Sequence, residues 1–414
     1  MKAFLHTFGC RANQYDTEAV RALILAAGGT VVDSPTDATV AIYNSCAVTA
    51  EAEADLRQAV RRGARQRSGL RTIVMGCASA RDDGTIAALS GVTDVIAGAD
   101  LPAVAAALGI AIGVAAAGSM PQTGARALLR IQDGCDEHCT FCATTLARGA
   151  HRSRGADELV REASALSAEH PEIVLTGIHI GSYGAESGSS LGALVERLVR
   201  DVPRVRFRLS SVEATEVDDR LAELLTDDPS RVVPHLHAPL QSGSDAVLKR
   251  MGRHWYSARS YAAAAQCVVA GRSRFALGAD IIAGFPGESE ADHQATLALV
   301  RELPFTYLHV FPYSPRPGTA AQRLGDRVPP TTTRRRTAEL RALARERATA
   351  YAMARAGGAA DVVVVGDGPT RSGLTEDYLS VELPAPVPPR RTRFAARLSA
   401  SGGGRLLATA SAGE

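Results

Sequence analysis

Lysine is nearly missing from this chain: Lys2 and Lys249 are the only two among 414 residues. The basic side chains are therefore arginines, whose planar fork suits phosphate, although the bias also fits an alanine-rich sequence from a GC-rich genome. An excess of one charge is lacking too. Lys and Arg total 46 against 44 Asp and Glu, for a formal net charge of +2. No global basic field advertises nucleic acid, so charge distribution must carry any such argument. A long, strongly apolar run of the ~20 residues that a membrane span needs is also lacking. The apolar stretch Ala103–Gly118 is rich in Ala and Gly and reads as a helix end and linker, so no membrane partner is expected. The opening run, Met1 to Cys10, reads as a first strand without the apolar core of a signal peptide. A reducing cytoplasm is the expected location, where cysteines serve metals or catalysis rather than disulfides.

What is present is ordinary in bulk and unusual in one place. The chain is 46% hydrophobic and 22% charged, as a globular protein of two or three domains would be. Three of its cysteines lie in Gly134-Cys-Asp-Glu-His-Cys-Thr-Phe-Cys142, spaced C-x3-C-x2-C. Three close thiolates can hold three irons of a cubic cluster and leave the fourth open to a small molecule. Structural zinc would want a second matched cysteine pair, and a ferredoxin run would use C-x2-C-x2-C with a fourth cysteine. Neither pattern is found.

The first third alternates β-rich runs (Ala3–Phe8, Thr39–Tyr43, Thr72–Met75) with amphipathic stretches (Gln14–Ala27, Ala50–Arg67), a parallel α/β pattern. Cys10, Cys46 and Cys77 each follow one of these strands. Open α/β sheets build ligand sites at strand carboxyl ends, so the three are expected to converge on a second cluster rather than to be unrelated buried residues. From about Ala127 to Arg345 the alternation repeats six times. The expected strands are Leu128–Gln132, Ile173–Thr176, Arg206–Ser210, Val232–His237, Phe275–Ala283 and Leu308–Tyr313. Six βα units predict a partial barrel with its chemistry at the strand carboxyl ends. Beyond Gly358, runs at Asp361–Val365, Tyr378–Leu383, Thr392–Leu398 and Arg405–Ala410 predict a small β-barrel. Between the two, Thr333–Ala354 is a helical stretch rich in arginine.

These motifs give the chain a family likeness. It resembles the methylthiotransferases of the radical S-adenosylmethionine superfamily over essentially its whole length. Gly9-Cys-Arg-Ala-Asn-Gln-Tyr15, Asn44-Ser-Cys-Ala-Val-Thr-Ala-Glu-Ala52, His309-Val-Phe-Pro-Tyr-Ser-Pro-Arg-Pro-Gly-Thr319 and Gly373-Leu-Thr-Glu-Asp-Tyr-Leu-Ser-Val381 are similar to the branch that modifies threonylcarbamoyladenosine in tRNA. The fold class implied is α/β in three parts. These are an N-terminal parallel α/β domain (1–118), a central partial (βα)6 radical-SAM barrel (119–348) and a C-terminal TRAM-like β-barrel (349–414).

The resemblance implies two 4Fe–4S clusters. Cys135, Cys139 and Cys142 would hold the catalytic, radical-generating one, and Cys10, Cys46 and Cys77 an auxiliary one that presents sulfur. One S-adenosylmethionine would donate a methyl group, and a second would be cleaved to the radical that removes hydrogen from carbon 2 of the adenine. That C–H is beyond acid–base catalysis. An electron donor of unknown identity is implied as well. Among lesser contacts, Phe141 would pack near the cluster, Gly177 would meet the methionyl amine, and Ser211 and Glu213 would face polar groups of the cofactor. Gln241 with Ser242 would sit at the fourth strand's end, and Ile282 and Pro312 would flank the cofactor adenine. The small barrel and the arginine-rich helix would bind tRNA through phosphate, with the target base splayed out.

Some positions depart from the family pattern: Ala143-Thr-Thr-Leu146 after the last cysteine, Ala214 after Glu213, and Ala238 before Pro239-Leu-Gln-Ser. Cys267, in an amphipathic helix, is expected to be a buried small hydrophobe. The ten histidines offer no metal-spaced pair, and His235-x-His237 reads as strand alternation. Two rival functions remain. One is the same chemistry on isopentenyl-adenosine in tRNA or on a ribosomal-protein aspartate. The other is a non-catalytic iron–sulfur or zinc RNA-binding protein.

Overall fold

The computed structural model describes residues 1–111, 122–366, 372–401 and 405–411. The later part of the expected linker, from residue 112 on, lies outside them. The chain divides into two compact units: 1–123 with 132–152 and 314–322, and 124–131 with 153–313 and 323–414.

The first unit is built on a parallel sheet of β1 (Lys2–Thr7), β2 (Thr30–Val32), β3 (Val40–Ser45), β4 (Arg71–Gly76) and β5 (Val92–Val95) in the order β2-β1-β3-β4-β5. The central β3 is buried along its whole length, as befits a strand covered on both faces. Helices α1 (Arg11–Ala26), α2 (Ala50–Gln66) and α3 (Leu101–Leu108) follow strands. Thr49 caps α2 by accepting from the Ala52 N–H, with Glu51 and Glu53 in the first turn. Both features favour a helix start. The edge strands β2 and β5 were not expected, since three or four residues carry too little alternation to stand out. The same unit contains the C-x3-C-x2-C segment and a short helix, α4 (Thr144–Arg148).

The second unit contains the six expected barrel strands: β6 (Ala127–Arg130), β7 (Glu172–Thr176), β8 (Arg206–Leu209), β9 (His235–His237), β10 (Ala276–Ala283) and β11 (Phe305–Pro312). They form two parallel three-stranded sheets, β8-β7-β6 and β9-β10-β11. Parallel bridges Phe207–Val232 and Ser211–His237 join these into one curved wall. β9 is shorter than the expected Val232–His237 because Pro234, with no N–H to give the ladder, interrupts it. Helices α5 (Ala156–Leu166), α6 (Leu191–Asp201), α7 (Asp219–Asp227), α8 (Asp245–Arg250), α9 (Ala258–Val269) and α10 (Glu290–Glu302) connect the strands. The outward strand residues Leu175, Leu209, Leu236, Leu277, Ala279 and Ile281 are fully buried against them. Each buried leucine is worth ~1.5–3 kcal/mol.

Helix α11 (Pro330–Arg355) then leads to a closed barrel of β12 (Ala359–Val364), β13 (Ser372–Thr375), β14 (Ser380–Glu382), β15 (Arg393–Ala400) and β16 (Leu406–Ala410). A buried charge cluster fastens this barrel to the curved wall. Glu172 accepts from Arg206 at 2.6 Å and from Arg208 at 2.7 Å, all three side chains being 0% exposed. Arg206 reaches on to the Asp361 carbonyl at 2.8 Å and Arg208 to that of Thr375 at 3.1 Å. Several α11 arginines expected to face phosphate are instead used internally. Arg336 is buried on Glu288 and Arg341 donates to the Val310 carbonyl. Arg334 and Arg345 remain exposed.

Candidate active site: two cysteine trios and a strand rim

Cys10, Cys46 and Cys77 do stand at strand ends. Cys10 is the N-cap of α1 just past β1, Cys46 follows β3 and Cys77 follows β4. Asn13 gathers them. Its Oδ1 lies 4.0 Å from the Cys10 sulfur and 3.8 Å from that of Cys77, while its Nδ2 donates to the Phe8 and Ser45 carbonyls, which flank the Cys10 and Cys46 turns. Gly9, at φ +90°, lies so near Cys46 that a Cβ there would sit 2.6 Å from its Sγ. The close approach therefore needs glycine.

Burial pushes the Cys46 thiol up and the Cys77 thiol up to about 11. Two guanidinium groups oppose this. Arg148 donates from Nε to Cys77 Sγ at 3.4 Å. Arg316, itself paired with Glu53, lies beside Cys46. A positive charge beside a thiol favours the thiolate, the form that binds metal.

Cys135, Cys139 and Cys142 lie on a loop closed by Cys135 N–H to the Gly149 carbonyl and Cys142 N–H to the Cys139 carbonyl, both 3.1 Å. Backbone N–H groups point at the sulfurs: Glu137 to Cys135 at 3.4 Å, Thr144 to Cys142 at 3.3 Å, and in the other trio Val48 to Cys46 at 3.4 Å. Such donors stabilise thiolate and tune clusters. In neither trio do all three sulfurs come within 4.8 Å of one another, whereas sulfurs around a single tetrahedral zinc would lie ~3.8 Å apart. The donor sets fit cubic clusters better than single ions. Phe141 is half-buried beside Cys142.

The other expected contacts gather at one rim of the second unit. Gly177 follows β7, and Ser211 and Glu213 follow β8. Gln241 lies past β9, Ile282 near the end of β10, and Pro312 ends β11. Gln241 adopts φ +66°. Its N–H donates to the Asp280 carbonyl at 2.8 Å and its carbonyl accepts from Ile282 at 3.0 Å, grafting this turn onto β10. Glu213 is buried, which pushes its carboxyl up. Arg253 and the Trp255 indole N–H bind its two oxygens. Ser242 is buried at 3.3 Å from the Thr296 hydroxyl. Cys267 is exposed rather than buried, because its position on α9 faces outward. No helix among the described residues is long and apolar enough to cross a membrane. Sequence reasoning missed Arg148, whose only signal was a lone charge after an atypical segment.

Family comparisons agree with this geometry. Residues 2–98 match the model described as Uncharacterized protein family UPF0004, and residues 129–300 match the Radical SAM superfamily. The chain is 36% identical over 371 residues to the Threonylcarbamoyladenosine tRNA methylthiotransferase MtaB of Bacillus subtilis, covering 84% of this chain and 81% of that protein. It is 35% identical over 368 residues to the tRNA-2-methylthio-N(6)-dimethylallyladenosine synthase of Sorangium cellulosum, covering 78% and 73%. Among solved structures, the radical S-adenosylmethionine methyltransferase TsrM of Kitasatospora setae matches with a TM-score of 0.59 at 13% identity, covering 77% of this chain and 76% of that one. That likeness shows the fold. The cofactors of such enzymes are 4Fe–4S clusters and S-adenosylmethionine, and the two thiol trios suit them. The chain belongs to the radical S-adenosylmethionine methylthiotransferase family.

Proposed function

We propose that this enzyme transfers a methylthio group to carbon 2 of N6-threonylcarbamoyladenosine, next to the anticodon of tRNA. The observation that carries the reading is the presence of two separate three-thiol sets in one unit, each with N–H donors aimed at its sulfurs. When bound, the clusters and S-adenosylmethionine supply an adenosyl-type radical, a methyl group and a site for sulfur. The chain's own residues hold and orient. Cys135, Cys139 and Cys142 would ligate the radical cluster, and Cys10, Cys46 and Cys77 the auxiliary one. Gly177, Ser211, Glu213, Gln241, Ile282 and Pro312, with Phe141, would form the cofactor's surroundings.

Threonylcarbamoyladenosine is preferred as the target because relatives named for it include proteins of four further species at 31–36% identity, and because the quoted N-terminal and His309–Thr319 motifs resemble that branch. A dimethylallyl-type base is the alternative, since relatives of that name match at 30–35% identity. A cytoplasmic location, an external reductant and the domain limits 1–118, 119–348 and 349–414 belong to the same proposal. Mass spectrometry of tRNA nucleosides from a deletion strain tests it. Loss of 2-methylthio-threonylcarbamoyladenosine is expected. Its persistence in a strain without a paralogue refutes the assignment.

A further inference from the structure

We propose that His237, Asp280 and His309 form a binding site for a divalent transition-metal ion, distinct from both cysteine trios. The three residues sit on neighbouring strands. Asp280 is paired with His309 across β10 and β11, and His237 with Gly278 across β9 and β10. Their side chains occupy the face of the wall opposite the one that the helices cover, since Leu236, Ala279, Ile281 and Val310 fill the other face. Among the described residues they are the one group of three or more His, Cys, Asp or Glu whose ligand atoms all lie within 4.8 Å of one another.

The distances suit a shared metal ion as well as a hydrogen-bonded triad. Both imidazoles converge on the same carboxylate oxygen: His237 Nε2 lies 3.1 Å and His309 Nδ1 3.2 Å from Asp280 Oδ1. Charge-assisted bonds run ~2.7–2.9 Å and neutral ones reach ~3.2 Å. Two other histidine–carboxylate pairs among the described residues are shorter, at 2.6 Å for His179–Glu216 and 2.7 Å for His293–Glu339. Donor atoms bound at ~2.0–2.2 Å to one cation lie ~2.9–3.5 Å apart at octahedral or tetrahedral angles, and the two longer contacts fall in that range.

The surroundings also suit a metal ligand set. The other ring nitrogen of His237 is held by the Tyr307 hydroxyl at 3.0 Å, and Tyr307 is held in turn by His235 Nε2 at 2.8 Å. Metal-bound histidines are oriented by such outer partners. Gly278 makes this possible, because a Cβ there would lie 2.0 Å from the Tyr307 ring. Two imidazoles and one carboxylate, with positions left open, suit ions of the Fe²⁺, Co²⁺ or Zn²⁺ class. The His309 side chain is 51% exposed, which leaves one side of the ion to water or a substrate oxygen.

Cobalt titration of the full chain, with both iron–sulfur clusters already loaded, tests the site. The wild type is expected to retain one Co²⁺ per chain through gel filtration, with a pulsed EPR signature of two imidazole nitrogens. His309→Ala should lose that ion and Tyr307→Phe should weaken its binding ~10–100-fold, both with unchanged iron content. Asp280→Asn should also lose it. If that variant fails to fold, His309→Ala decides the matter, since it trims a half-exposed side chain. Equal cobalt retention by wild type and His309→Ala, or none by the wild type, overturns the proposal.

Discussion

Arg148 donates from Nε to the Sγ of Cys77 at 3.4 Å, so the helix that closes the C-x3-C-x2-C segment touches a cysteine of the other trio directly. The same guanidinium binds Asn13 Oδ1 at 2.7 Å, Asp16 Oδ2 at 2.6 Å and Asp133 Oδ1 at 3.2 Å. Its side chain and that of Asp16 are each 2% exposed. One buried cation therefore organises both thiol sets.

Arg148→Met should leave Asp16 buried without its counter-charge, at a cost of ~3–5 kcal/mol. It should also reduce reconstituted iron from about eight towards about four per chain, as the auxiliary cluster is lost. Arg148→Lys, which keeps the charge but not the fork, should fall between. A urea midpoint and an iron count that both stay at wild-type values would show that Arg148 has no such role.

The two trios should separate under mutation. Cys135→Ala is expected to abolish reductive cleavage of S-adenosylmethionine. Cys46→Ala should spare cleavage and lose methylthio insertion. Chromatography of deoxyadenosine and of the tRNA nucleosides checks both, and methylthiolated product from Cys46→Ala would remove the auxiliary assignment.

Glu172 should shape the acid limb of stability. Its pKa is held well below the usual value by Arg208, Arg206 and Arg126, which outweigh its complete burial. A depressed folded pKa means stability that is present above the unfolded value of ~4.3 and is lost as pH falls below it towards the folded value. Glu172→Gln should cost ~3–5 kcal/mol at pH 7. The deficit should shrink in acid, as read from denaturant midpoints at neutral pH and below pH 4. A deficit that stays constant across that range would contradict this.

Gly278→Ala should destabilise the second unit by ~1–3 kcal/mol through overpacking against Tyr307. Adding Tyr307→Ala should cost less on that background than on the wild type, the non-additivity expected of touching residues. Thermal melts of the four chains measure the coupling, and strict additivity would show that the two positions are independent.

The elements legible in the sequence were those with a strong period or a cluster of one chemistry. The six barrel strands alternate or run apolar for long enough to be placed, three cysteines stand at strand ends, and the other three cluster in one short segment. The short strands β2, β5 and β13 escaped because three or four residues carry no period. The arginines of α11 misled because a basic helix face looks the same in sequence whether it meets phosphate or, like Arg336 and Arg341, the protein's own acceptors. Arg148 was invisible because its partners come from residues 13, 16, 77 and 133. His237, Asp280 and His309 were missed for a related reason. Their neighbourhood is set by strand register rather than by spacing along the chain, and His235-x-His237 reads in the sequence only as strand alternation.

Gly278 leaves a record that sequence comparison could read. Because a Cβ there would overlap the ring of Tyr307, glycine and a large aromatic at these two positions must be inherited together or replaced together. Chains that have lost the aromatic are free to gain a side chain at position 278, and with it to fill the space through which Tyr307 reaches His237. Joint variation at the two positions would thus sort relatives into those that keep the link between His235 and His237 and those that have given it up.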